Sequence, residues 1–174
     1  MNKIKYLLFA SLLAVFSFSL SAEGTYVLDA ERAILNTQYA EAEAKKMSED
    51  ADYVADLERL ELLQTEIQGI VEDFDKNQET LSDQQKIEMQ GKVEDKQTEI
   101  QFLTQKLQNK AQETRQAILA ALSEDFQRIF GELVNAKNMD IVLRREALFY
   151  ADPDFDITDE VTALLDVALA EKSE

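Results

Sequence analysis

A chain of 174 residues, 45% hydrophobic and 30% charged, has room for one domain or one domain with an extension, and is too apolar to be disordered by composition. Its formal net charge of −17 disfavours nucleic acid and anionic membrane surfaces as partners, because both are bound through clustered Lys and Arg. With no His and no Cys it has no Ser-His-Asp or Cys-His nucleophile, no ordinary zinc or copper ligand set and no disulfide. The four isolated glycines make no phosphate-cradling loop, so the sequence is read as a non-enzyme without cofactor or metal.

Residues 1–21 read as a cleaved export signal. Lys3 and Lys5 form a positive start, Leu7 to Leu20 is an apolar stretch too short for an ordinary membrane span, and cleavage falls after Ser21 or Ala22. Removing this segment takes away two lysines and no acids, so the charge goes from −17 to −19. An exported chain without cysteines must be stabilised by packing alone.

After Gly24, Thr25–Asp29 is a short β-prone run, and Asp29 is placed to cap a helix that begins with Ala30, Ala33, Ile34 and Leu35. From Ala30 to Lys137 there is no proline, and only one interruption is expected, at Asn77–Ser82. The ascending side carries Tyr53, Leu57, Leu60, Leu63, Ile67, Ile70 and Phe74 at steps of three and four. Ser82 and Gln85 fit a capping box that starts the descending side. There the seam is read as Ile87, Gln90, Val93, Gln97, Ile100, Leu103 and Leu107, continuing to Ile118, Phe126, Ile129 and Leu133. Gln90 and Gln97 on the seam admit two readings: a weakly cemented distal half that splays, or a polar layer that sets register. The expectation is a long antiparallel helical hairpin over residues 41–115 with its tip near 77–82.

Beyond Lys137, Met139–Leu143 and Ala147–Tyr150 are expected to form a β-hairpin, although Arg144-Arg145-Glu146 lacks the glycine or Asn-Gly of a tight turn. Asp152 to Asp156 resembles the opening of a calcium loop, but Ile157 and Ala163 stand where that loop needs Gly and Glu, so these residues are read as turn and cap. Thr158 or Asp156 caps a last helix with an apolar stripe of Val161, Leu164, Leu165, Ala168 and Leu169.

Residues 22–40 and 116–174 thus make a discontinuous base, too small to enclose a sturdy core alone. The fold class expected is α+β, mostly α, with the hairpin mounted on a small β-rich body. Association through that body is the remaining route to stability, and Tyr26, Val27, Leu28, Ile34, Ile141, Leu143, Leu148 and Tyr150 are expected to be buried between subunits of an obligate homo-oligomer.

The sequence resembles the Skp/OmpH family of periplasmic outer-membrane-protein chaperones. The resemblance rests on the export signal followed by Tyr26-Val27-Leu28-Asp29, on the long hairpin, and above all on the tail from Asp140-Ile141-Val142-Leu143 through Tyr150-Ala151-Asp152-Pro153 to Asp156-Ile157-Thr158-Asp159. It implies a jellyfish-shaped homotrimer in the periplasm. Helical tentacles there enclose a cavity that holds unfolded outer-membrane proteins without ATP and prevents their aggregation. One feature departs from the family. Its best-known members have basic tentacles, whereas residues 41–115 here hold 19 acids and 10 bases, and residues 66–95 hold 9 and 3. That balance argues against membrane or lipopolysaccharide contact. The rival expectation is a structural or scaffolding coiled coil of the cell envelope.

Overall fold

A computed structural model describes residues 24–172; the proposed export signal, residues 1–21, lies outside the described residues. The chain is mostly helical with one small sheet. In order it forms β1 (Thr25–Leu28), α1 (Ala30–Leu35), α2 (Gln38–Ser48), α3 (Ala51–Asn77), α4 (Asp83–Ala136), β2 (Ile141–Arg144) and α5 (Thr158–Lys172). Among the described residues no helix is long and apolar enough to cross a membrane.

Side-chain caps decide where these helices begin. Asp29 Oδ1 accepts the Arg32 N–H at 2.8 Å and starts α1. Ser82 and Gln85 form a capping box at the start of α4. α4 then runs unbroken for 54 residues, ~80 Å at 1.5 Å per residue. It ends at Ala136, and two residues on, Asn138 has a φ of 49°, the left-handed conformation common just past a helix C-terminus.

The ascending side is not one helix, contrary to the single interruption expected from sequence. It breaks at Asn36–Thr37 and again at Glu49–Asp50. At the first break Thr37 is fully buried; its hydroxyl donates to the Ile34 carbonyl at 2.8 Å and accepts the Ala40 N–H at 3.2 Å. At the second, Asp50 accepts the N–H groups of Asp52 and Tyr53. Both are strong N-cap residue types, and each offers the backbone a partner that competes with continuing the helix.

α3 packs along α4 in antiparallel sense. Ion pairs join Asp56 to Lys106, Arg59 to Glu99 and Glu66 to Lys96, so the numbers fall on α4 as they climb on α3. The seam differs from the apolar tally. On α3 it runs Tyr53, Asp56, Leu60, Leu63, Ile67, Ile70 and Phe74, with Leu57 left 44% exposed. On α4 it runs Lys86, Met89, Val93, Lys96, Ile100, Leu103 and Leu107, while Ile87, Gln90 and Gln97 face water. Both series alternate strictly in steps of three and four. The regular period overrides hydrophobicity, because the stems of Lys86 and Lys96 cover apolar surface while Lys96 and Asp56 keep charged partners.

The tail also differs from the expected hairpin. β2 does not fold back on residues 147–150. It pairs in parallel with β1, with Thr25 opposite Ile141 and Leu28 opposite Arg144. Arg145–Ala147 is a 3-10 turn, and no strand follows before Pro153. The Gly24 carbonyl accepts the N–H groups of Asp140 and Ile141 at 2.8 and 2.9 Å, anchoring the start of β2. On the other side of β1, the Ile157 N–H donates to the Val27 carbonyl at 2.9 Å. Lacking a residue suited to a tight hairpin turn, the segment after β2 instead leaves the sheet.

The main core gathers Leu28, Ala33, Ile34 and Ala40 with Ile118, Leu122, Ile129, Leu133, Met139, Ile157, Val161 and Leu165. Thr158 and Thr162 tie the two ends of the chain together. The Asp29 N–H donates to Thr158 Oγ1 at 3.0 Å, and the Thr162 hydroxyl donates to the Ala33 carbonyl at 2.9 Å. Asp156 accepts the Thr158 N–H and so opens α5, and Asp152 accepts the Asp154 N–H in the preceding turn.

Candidate functional site

Two surfaces stand out, one along the paired helices and one at the sheet. The paired helices bury Leu63, Leu103 and Leu107, but among the described residues nothing between positions 64 and 102 is fully buried. A seam of two positions in seven cannot cover every apolar side chain these helices carry. Val54, Leu57, Leu62, Val71, Ile87 and Phe102 are therefore left in solvent, Phe102 at 67% exposure. Near the tip, Ile70, Val71 and Phe74 of α3 and Met89 and Val93 of α4 line an open apolar groove, with Gln90 and Lys86 at its polar wall. A second, more polar groove lies at the α2–α3 break, where Tyr53 and Phe102 meet Asp50, Asp56, Lys106 and Lys110.

Charge is distributed unevenly between seam and surface. Arg59 grips Glu99 with two hydrogen bonds, 2.7 Å from Nε and 2.9 Å from Nη2. This contact raises the guanidinium above its ordinary pKa and holds the carboxyl below its own. Asp56 likewise raises Lys106. Three of the arm's ten bases, Arg59, Lys96 and Lys106, pair across the seam, and many of the surplus carboxylates face water.

At the sheet, the residues singled out for an interface divide. Leu28 and Ile34 are buried in the chain's main core, and Val27 is buried within the chain outside that cluster. Tyr26 is partly buried against that core and lies 5.8 Å beneath the Lys137 ammonium. Leu148 is partly buried. Ile141, Leu143 and Tyr150 are exposed, at 53%, 38% and 75%. Strand alternation explains the split on β2: Val142 turns toward the core, so its neighbours Ile141 and Leu143 turn away. Phe149, fully exposed, and Leu164 and Val167 on α5 add to the same class and were not singled out from sequence. Phe149 was legible only as a strand residue; Val167 lies off the stripe assigned to α5. The sheet ends at β2, with no strand on its far side among the described residues.

Among the described residues Asp125 is the one buried carboxylate, held by the Lys172 ammonium at 2.6 Å and by Arg128 at 3.4 Å. The Lys172 hydrogen bond holds its carboxyl below the ordinary aspartate range against the opposing effect of burial, and Arg128 adds to the lowering. It fastens the end of α5 to α4. Among the described residues no group of three His, Cys, Asp or Glu side chains is arranged to hold a metal ion.

The family model described as outer membrane protein (OmpH-like) matches residues 25–165. A solved structure described as an OmpH-like outer membrane chaperone, from Caulobacter crescentus CB15, is 21% identical; the match covers 83% of this chain and 85% of that one, with a TM-score of 0.47. No curated protein matches the chain.

Proposed function

The chain belongs to the OmpH-like family of outer membrane proteins, and from that premise we propose that it is an exported, ATP-independent holdase of the periplasm that shields unfolded outer-membrane proteins. The observation that carries this reading is the row of apolar side chains left in solvent on the paired helices, from Val54 and Leu57 to Ile87 and Phe102. A protein with no further use for these positions gains solubility by making them polar. Here they are spaced along a long, acidic arm. An unfolded client meets several weak apolar contacts at once, and the surplus negative charge keeps the loaded particle dispersed.

Residues 41–115 act as the arm in this reading, and residues 22–40 with 116–174 as the base. The base joins copies of the chain in a homo-oligomer, and the family resemblance points to three. Its contact surface is the open side of β2, with Ile141, Leu143, Leu148 and Tyr150. Tyr26, Val27, Leu28 and Ile34 support it from within the protomer. A scaffold for one folded partner is the rival reading, and it gives no reason for apolar residues scattered along both helices.

The test is dilution of a denatured outer-membrane β-barrel into buffer without nucleotide, followed by light scattering. Suppression of scattering at stoichiometric protein is the expected result. Scattering indistinguishable from that of the client alone refutes the reading.

A further inference from the structure

We propose that the groove near the arm tip is a docking site for extended, cationic amphipathic segments, so that this protein selects clients by positive charge next to an apolar residue. The inference rests on the holdase reading and names the class of chain captured. The groove offers Ile70, Val71, Phe74, Met89 and Val93 to an apolar side chain. Val71 stands 46% exposed, and no other part of the described chain covers it. The surroundings set the sign of what flanks that side chain. Of nine carboxylates between residues 66 and 95, only Glu66 and Glu72 have ion-pair partners among the described residues. Of three lysines in the same stretch, Lys76 is paired, which leaves Lys86 and Lys92 against seven unneutralised carboxylates. Lys86 is the one charged residue on the groove wall, and the carboxylates that outnumber it stand on the helix faces around the groove rather than in its lining. An incoming Lys or Arg beside an apolar anchor therefore enters a negative field, whereas an acidic segment is repelled.

The probe is a labelled peptide of about ten residues alternating Leu and Lys, compared with one alternating Leu and Glu, titrated with the full chain lacking its export signal. The cationic peptide is expected to bind about tenfold more tightly at low salt, and the difference is expected to shrink as salt rises. Asp73→Asn with Asp75→Asn and Glu88→Gln, all at exposed positions, should reduce that preference severalfold. Val71→Ser should weaken both peptides. Equal affinities, tighter binding of the anionic peptide, or binding unaffected by Val71→Ser overturns the inference. A change in sedimentation of the unliganded protein on Val71→Ser also overturns it, because the groove then seats a second copy. The two readings fail separately. Suppressed barrel aggregation without charge preference removes the groove and leaves the holdase. Cationic preference without suppression does the reverse.

Discussion

Asp125 shows how single charges fasten this molecule. It lies in the base, bonded to Lys172 near the end of α5 and to Arg128 on its own helix. Its carboxyl titrates below the ordinary aspartate value in the folded chain. A depressed folded-state pKa adds stability that is fully present above the unfolded value of about 3.9 and is lost as pH falls through the folded value. Asp125→Asn should therefore lower the denaturation midpoint at neutral pH, and the gap from the parent should close under acid. A gap that stays constant down to acid pH contradicts the assignment. Gly24 shows the opposite constraint, steric rather than electrostatic. Its φ is +91°, a conformation that strains any residue carrying a Cβ, so the start of β1 depends on glycine; the Asp140 carboxylate that a Cβ would meet is a side-chain end able to turn away.

At the scale of elements, the paired helices bury Leu63, Leu103 and Leu107 and nothing between positions 64 and 102 among the described residues, so the half beyond is expected to be loose. Gly69 and Gly91 sit in the loose half, and a Cβ at either would meet nothing within 4 Å. Gly69→Ala and Gly91→Ala should each stabilise the arm by about 1 kcal/mol. Hydrogen exchange checks this: amides from about 66 to 95 should exchange faster than those near Leu103 in the parent and slow in the double variant. Uniform protection along both helices would contradict a loose tip. The caps at Asp29 and Ser82 and the break at Asn77–Ser82 were legible in sequence because each rests on a local side-chain to backbone bond. Thr37 and Asp50 carry the same signal, hidden by helix formers on both sides. The seam was misread because it was started from the apolar Leu57 and Ile87, and the spacing from Ile87 then carried Gln90 and Gln97 onto it. The strict three-four series through Asp56, Lys86 and Lys96 appears only when charged residues are allowed to pair across the helices. The parallel partner of β2 was not legible, since β1 lies more than a hundred positions away and nothing local specifies that pairing.

For the molecule as a whole, the residues expected at a subunit interface fall in two structural settings. Leu28 and Ile34 belong to the protomer's main core and Val27 is buried beside it, so changing them should unfold the base before it reports on assembly. Leu143 is exposed on the open side of β2 and separates the two effects. Leu143→Asp should leave helix content intact while dissociating the oligomer, because a charge stranded in a subunit interface costs about 3 kcal/mol or more. Unchanged mass in light scattering would remove β2 from the interface. Sequence pattern alone could not apportion these roles. A β-branched or leucine residue on a strand reads the same whether it faces its own helices or another copy.

Holding and assembly meet in a single sedimentation experiment. The chain lacking residues 1–21 is mixed with an unfolded outer-membrane β-barrel in the absence of nucleotide, and both species are followed in one run. A soluble boundary containing the oligomer and the barrel together is expected. A lone subunit sedimenting apart from pelleted barrel would contradict both the shared base and the sheltering arms.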